Sequence, residues 1–354
     1  MGTISARKRS DGTTAYTAQI RLKRDGKPAY SEAKTFDRKA AAAAWLKKRE
    51  RELADPGVIE QASGPTLADA IDRYVDESVR EIGRTKAQVL RSIKAYPIAS
   101  MRCAAIKSAD IIEFLRSLTG QPQTVGNYAS HLAAVFAIAR PMWDYQLDPD
   151  AMRDAAIVAR RMGITSKSAQ RDRRPTIGEL EALLQHFVDR RKRAPQSMPM
   201  AKVILFALFS TRRQEEITRI TWSDYEPHNS RVMVRDMKNP GEKIGNHVWV
   251  DLPAEAMLVI DSMPKTKPAI FPYSPDAITA NFTRACKVLG IEDLRFHDLR
   301  HEGASRLFEM GMNIPQVAAV TGHRSWNSLK RYTHIRQSGD KYAGWPWVEK
   351  VTEK

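Results

Sequence analysis

The chain is 354 residues long and carries 57 Lys and Arg against 41 Asp and Glu, a formal net charge of +16. At roughly 150 residues per domain the length predicts two or three domains with cores of their own, and 42% hydrophobic with 28% charged residues excludes a largely disordered chain. Two cysteines, Cys103 and Cys286, exclude a disulfide framework and a zinc quartet, the longest apolar run (Val203 to Phe209) is far short of the ~20 residues that span a bilayer, and the basic excess favours nucleic acid over membrane as the partner.

Met1 to Ser10 is polar and basic, without the apolar core of a signal segment, so the cytoplasm is the expected compartment. Residues 1–57 read as a small β-rich module. Thr14 to Lys23 alternates, with Tyr16, Ala18, Ile20 and Leu22 on one face and Thr17, Gln19, Arg21 and Lys23 on the other, the pattern of a half-buried strand. Arg24-Asp25-Gly26-Lys27 predicts a turn and Tyr30 to Phe36 a returning strand. Asp37 then caps a helix that runs to Leu53 and stops at Asp55-Pro56-Gly57. Residues 1–60 hold 14 Lys and Arg against 8 Asp and Glu, and the Gln19, Arg21 and Lys23 face suits either a DNA groove or plain solvent.

After a linker at 58–65, residues 66–161 predict four helices in a compact bundle. They start at Thr66, Thr85, Ser108 and Thr124, and Pro97, Gly120 and Pro141 end the last three. Residues 162–175 form a basic linker, in which Arg171, Arg173 and Arg174 are candidates for phosphate contact. A mostly helical third domain begins at Thr176 and is interrupted by two β-type runs, Arg231 to Arg235 and His247 to Asp251. The turn between them, Asn239-Pro240-Gly241, is flanked by Lys238 and Lys243.

The informative residues lie in this third domain. Arg213 and Glu216 are three apart, on one helical face; alone they are an ordinary surface pair. His297 and Arg300 share the same spacing. His297 and His301, at i and i+4, also admit a zinc reading, but Arg300 sets a fixed cation beside any metal and no third ligand is marked. Gly322-His323 is followed by Ser325, a cap for a helix ending near Tyr332, nine residues after His323.

Taken in order, Arg213 with Glu216, Lys238 on a hairpin, His297-x-x-Arg300, and Gly322-His323 with Tyr332 resemble the tyrosine recombinase (phage integrase) family over residues 176–336. The expected fold is then multidomain and mainly α with small β-sheets: an N-terminal three-stranded β-sheet plus helix that binds arm-type DNA, a four-helix core-binding bundle, and a mixed, mostly helical catalytic domain. The resemblance implies that Tyr332 attacks a DNA phosphate to form a 3′-phosphotyrosyl link, with Arg213 and Arg300 on the non-bridging oxygens and His323 hydrogen-bonded to the phosphate. Lys238 protonates the 5′-oxygen, His297 serves proton transfer and Glu216 orients its neighbours. Planar guanidinium groups suit the charge of such a transition state, and a phenol of ordinary pKa ~10 needs cations and a proton acceptor to attack.

Ser210-Thr211 stands where the family usually has Thr-Gly, a departure that bears on the tightness of this turn. The resemblance further implies the integrase of a prophage or other mobile element, acting in a bacterial cytoplasm at the nucleoid. Its partners are double-stranded DNA at attachment sites, a homotetramer on that DNA, an accessory DNA-bending protein and an excision factor, with no cofactor, metal or membrane. The tail, 337–354, docks either on a neighbouring protomer, as is common in the family, or on its own domain. The competing readings are a Xer-like dimer resolvase, a family type that generally lacks the arm module, and a basic DNA-binding regulator that does not cut.

Overall fold

Alternation at the N-terminus produces a three-stranded antiparallel sheet in the order β1 (Gly2–Lys8), β2 (Thr14–Arg24), β3 (Lys27–Phe36). The computed structural model describes residues 2–8, 13–24, 27–53, 64–168, 171–237 and 245–353, the side chains of 22–24 and 27–30 excepted. The first strand, expected only from the family resemblance, pairs with β2 from Gly2 opposite Ile20 to Lys8 opposite Thr14. Ala18 and Ile20 are buried as alternation requires, and helix α1 (Lys39–Glu52) packs on the sheet with Ala42 buried. It starts one residue later than expected, with Arg38 rather than Asp37 in the cap position.

The chain forms two compact units, Met1–Ala169 and Gln170–Lys354. The helical part of the first has five α-helices among the described residues, where four were expected: α2 (Leu67–Asp76), α3 (Arg84–Ile93), α4 (Ser108–Ser117), α5 (Pro122–Trp143) and α6 (Pro149–Arg161). Pro141 does not end α5, because in the last turn it removes only one intrahelical bond; Asp144, left-handed at φ 57°, ends it instead. Helix α6 lies beyond Pro141, the expected end of the bundle's last helix, and buries a mostly alanine face, Ala151, Met152, Ala155 and Ala159. Its cap was legible, with Asp148 accepting from the Asp150 amide at 2.9 Å ahead of Pro149.

In the second unit, Thr176 and Glu179 form a capping box for α7 (Ile177–Arg193). Helix α8 (Met200–Ser210) is apolar nearly all round and accordingly buried, a central core helix. After the short α9 (Gln214–Ile217), β4 (Tyr225–Glu226), β5 (Arg231–Val234) and β6 (Val248–Asp251) make an antiparallel sheet, Arg231 opposite Asp251 and Val234 opposite Val248. The tip of the β5–β6 hairpin, including Lys238 and Lys243, lies outside the described residues. Helices α10 (Ala254–Asp261), α11 (Pro275–Val288), α12 (Asp298–Glu309) and α13 (Ile314–Thr321) follow.

The helix expected from Ser325 to Tyr332 is instead two three-residue turns, Trp326–Ser328 and Lys330–Tyr332. Only Leu329 and Tyr332 are buried there, an i, i+3 spacing that a 3₁₀ turn satisfies, while Trp326 stays exposed. In the tail, α14 (Trp347–Thr352) docks on its own unit, with Trp347, Val348 and Val351 in the core beside α7, α8 and α10. Among the described residues no helix is long and apolar enough to cross a membrane. The described residues are mainly helical with two small antiparallel sheets, as the sequence predicts.

Candidate active site

The site starts where α8 ends. Thr211 takes the left-handed conformation at φ 57°, so the tight turn is kept although no glycine is present, at a cost of ~1–2 kcal/mol. Arg300 holds this turn by donating to the Thr211 carbonyl. Arg212, fully buried, donates to the Ser210 carbonyl at 3.0 Å and to the Val320 carbonyl, tying the turn to the end of α13. Nothing in the sequence marked Arg212; an Arg-Arg doublet does not say which side chain turns inward.

Arg213 and Glu216 do not share a helical face as expected, because Arg213 is the N-cap of α9. The Glu216 carboxylate instead accepts twice from Arg213, from its amide to Oε2 at 3.1 Å and from its Nη1 to Oε1 at 2.8 Å. Burial alone raises the Glu216 carboxyl, but Arg212, Arg300 and Arg213 outweigh it and hold the group below the usual carboxylate range. The Arg213 side chain remains 29% exposed, free to reach an anion on its outer side.

Arg300, on α12, also donates through Nη2 to the Thr321 carbonyl at 3.1 Å and lies 3.1 Å from His323 Nε2. Arginine can only donate, so Nε2 is the acceptor and the His323 proton sits on Nδ1, which points at Thr321 Oγ1 at 2.7 Å. Burial and the cations Arg300, Arg213 and Arg212 push His323 down to about 3, so the ring is neutral. Burial, with Arg212 and Arg213, lowers Arg300 to about 9, which still leaves it charged at neutral pH. His297 stands at the N-cap of α12 and is lowered by burial, Arg300 and Arg213. Gly322, left-handed at φ 71°, lets Met237 approach; a Cβ there would meet its Sδ at 2.9 Å.

Tyr332 is 7% exposed, its ring stacked on Phe308 with centroids 6.0 Å apart. Its hydroxyl lies 2.6 Å from His301 Nδ1; among the described residues no hydrogen bond joins it to Arg213, Arg300 or His323. Burial raises the phenol, opposed by Arg331 and Arg300. The other tyrosine nearby, Tyr342, donates to Glu302 at 2.9 Å, and burial with that carboxylate pushes it far up, so it is a structural group. His301 faces Tyr332 rather than sharing a ligand site with His297, and among the described residues no group of three or more His, Cys, Asp or Glu is placed to hold a metal.

The structure thus gathers Arg213, Glu216, His297, Arg300 and His323, with Tyr332 beside His301. The linker arginines behave differently from the expectation. Arg171 is bound to Asp298 at 2.8 Å and Asp293 at 2.9 Å, Arg173 to Glu179, and Arg174 to Glu302 at 2.6 Å and Glu309 at 2.7 Å. Each guanidinium is spent on a carboxylate, so these three pin the segment to its own unit instead of offering free charge to phosphate. On the N-terminal sheet, Arg21 is exposed and Gln19 lies beside it, its amide turned to accept from Arg21 Nε at 3.2 Å; the Lys23 side chain lies outside the described residues.

Residues 176–338 match the phage integrase family. The chain is 31% identical over 286 residues to the shufflon-specific DNA recombinase of Escherichia coli, covering 77% of this chain and 69% of that protein. It is 28% identical over 155 residues to the integrase of Salmonella phage P22, 39% of each chain. Among solved structures it is similar to a lambda integrase tetramer bound to a Holliday junction, with TM-score 0.60 and 19% identity over 94% of this chain and 95% of that one. Fold and site define a DNA strand-transferring enzyme of the tyrosine type. The chain belongs to the phage integrase family of tyrosine recombinases, and it is a site-specific recombinase that cuts and rejoins DNA through a 3′-phosphotyrosyl intermediate.

Proposed function

We propose that Tyr332 is the nucleophile of this recombinase and that Arg300 and Arg213 clamp the non-bridging oxygens of the scissile phosphate. The observation that carries the reading is Arg300, buried, fixed by the Thr211 and Thr321 carbonyls and set against His323, with Arg213 braced by Glu216 nearby. Such fixed cations need no reorganisation when charge develops on the phosphate. An arriving phosphate offsets the cations that keep His323 neutral, so its Nε2 takes a proton and donates it in a hydrogen bond to the phosphate. His297 serves proton transfer, and Lys238 protonates the leaving 5′-oxygen.

In the same reading, residues 1–57 bind arm-type DNA, 66–161 grip the core site and 176–336 cut it, as a homotetramer on double-stranded DNA at attachment sites. The sheet-plus-helix module favours the integrase of a prophage or other mobile element over a Xer-like resolvase. The enzyme then works in the host cytoplasm at the nucleoid, with an accessory DNA-bending protein and an excision factor. The test is Tyr332→Phe on DNA spanning the ends of the element that encodes the chain: binding persists and covalent adducts vanish, whereas Tyr342→Phe still forms them. An adduct in Tyr332→Phe refutes the assignment, and binding without any adduct in the unaltered protein favours a regulator.

A further inference from the structure

The Tyr332 hydroxyl is held by a residue that the reading above leaves without a role. His301 Nδ1 lies 2.6 Å from it, inside the range of a strong hydrogen bond. Both partners are fixed from several sides. Tyr332 stacks on Phe308, and its neighbour Arg331 is tied to Asp172 at 2.7 Å and to the Arg171 carbonyl. His301 projects from α12 one residue after Arg300, its ring edge-on to His297 at 5.0 Å. A buried phenol resists ionisation, so its attack on phosphorus needs a proton acceptor within hydrogen-bond reach. Among the described residues, the group at that distance is His301.

Resting on the assignment of Tyr332 as nucleophile, we infer that His301 is a further catalytic residue, the base that takes the phenolic proton as Tyr332 attacks. The step balances. The Oη–H bond breaks and its proton passes to Nδ1, while an Oη lone pair forms the new bond to phosphorus. The bond from phosphorus to the 5′-oxygen breaks, and that oxygen takes its proton from a separate acid at the opposite end of the reacting axis. On rejoining, the incoming 5′-hydroxyl attacks and gives its proton back to the deprotonated form of that acid, while the histidinium returns its proton to the departing phenolate.

The surroundings suit a base that starts neutral. Burial, His297, Arg331 and Arg300 all disfavour a cation at His301 and only Asp298 favours one, which brings the ring down to about 4. Arg171, Asp172, Arg174 and His334 line the same small cavity. A DNA phosphate bound by Arg300 and Arg213 offsets one of the cations, Arg300, that lower His301, and so raises its basicity when the proton must move.

His301→Asn separates holding from proton transfer, since its amide oxygen can sit where Nδ1 does and accept the hydrogen bond but cannot take the proton. Expected is a loss of about 10²- to 10⁴-fold in the rate of covalent adduct formation, with DNA affinity and thermal stability kept. Sulfur in place of the bridging 5′-oxygen relieves the acid and leaves this defect unchanged. Replacing Tyr332 by 3-fluorotyrosine, whose phenol is more acidic, narrows the gap between His301→Asn and wild type, a response that a purely structural role does not give. Adduct formation at the wild-type rate in His301→Asn, or a gap that fluorination leaves unchanged, overturns the inference. The unmutated protein gives an independent check by ¹⁵N resonance of labelled histidine. At neutral pH His301 Nδ1 must carry no proton; a protonated Nδ1 makes His301 the donor and overturns the inference even where the variant does not fold. Tyr332→Phe keeps the two readings apart. If it still links to DNA the nucleophile is another residue, whereas if it is inert while His301→Asn cleaves normally, only the base is wrong.

Discussion

Gly303 faces the backbone of α8 from α12 with no room for a side chain, and adding one methyl group there tests how the fold positions the phosphate clamp. An alanine Cβ at 303 would lie 2.0 Å from the Leu208 carbonyl oxygen and 2.9 Å from Thr211 Cγ2. Carbon and oxygen rarely approach closer than ~3.3 Å, so α12 must back away from α8 by about 1 Å. Overpacking of this kind costs ~1–3 kcal/mol, and here the obstacle is backbone, which cannot rotate aside. The damage also reaches the chemistry. Arg300 lies one turn before Gly303 and grips the Thr211 carbonyl, so the shift pulls one guanidinium away from the turn that carries the other. A displacement of ~1 Å in a reacting constellation lowers rates about 10²-fold. Gly303→Ala is therefore expected to unfold at lower urea concentration and to form covalent adducts at least about 10²-fold more slowly, with specific DNA binding retained. Gly178→Ala is the control: it lies in α7 with no heavy atom within 4 Å of a Cβ, and should gain up to about 1 kcal/mol from helix propensity. If Gly303→Ala matches wild type in both stability and adduct rate, the α8–α12 contact does not set the clamp.

Three further outcomes are expected. Glu302→Ala strands Arg174, Lys341 and the Tyr342 hydroxyl around a vacated carboxylate and should cost ~3–5 kcal/mol in urea denaturation; a loss below ~1 kcal/mol would falsify its place as the hub of this network. His301 and His323 titrate near 4 and 3 in the fold, against an ordinary value near 6.5. Below that value the unfolded chain binds more protons, so their share of stability is complete above pH ~6.5 and drains as pH falls toward 4 and 3; His301→Gln should flatten part of that acid limb, and an unchanged limb counts against the buried neutral state. Truncation after Arg336 removes Tyr342, Trp347, Val348 and Val351 from the core, so the DNA-free protein should melt at lower temperature. An unaltered melting point would mean that the tail does not hold its own unit together.

Legibility in the sequence followed the range of the forces involved. Local signals were readable: the period-2 alternation of β2 and the helix start at Thr66 arise within a few residues. The motif residues were readable as a set because their order and spacing resemble a known family, although none of them was informative alone. Long-range choices were not readable. Whether Arg212 or Arg213 turns inward depends on Val320, which lies 108 positions away. Whether Tyr332 meets the arginines or His301 depends on a turn packed against α12. The linker misled for the same reason, since its local net charge says nothing of carboxylates that fold back from positions 293 to 309.

Helix α12 shows how these long-range choices combine, because its three faces do different work. Along one face, His297, Arg300, His301 and Phe308 follow the i, i+3, i+4 spacing, so the phosphate clamp and the cradle of the tyrosine ring share a single rigid rod. A second face carries Asp298, Glu302 and Arg306 at steps of four, each nearly without solvent contact. Asp298 and Glu302 capture Arg171 and Arg174, while Glu302 and Arg306 capture Tyr342 and Asp340. The third face, through Leu299, Gly303 and Leu307, includes the close approach to α8 at Gly303. Buried ionic networks are weak evidence for stability, but they do fix register, because one turn of slippage sets like charges together, Arg306 against Arg174 or Glu302 against Asp340. On this account the second face sets the rotation of α12 about its axis, and rotation decides whether Arg300 meets the Thr211 turn and His301 meets the phenol. Two of the three linker arginines, read from sequence as phosphate ligands, thereby act on the reaction at one remove, through the helix they lock.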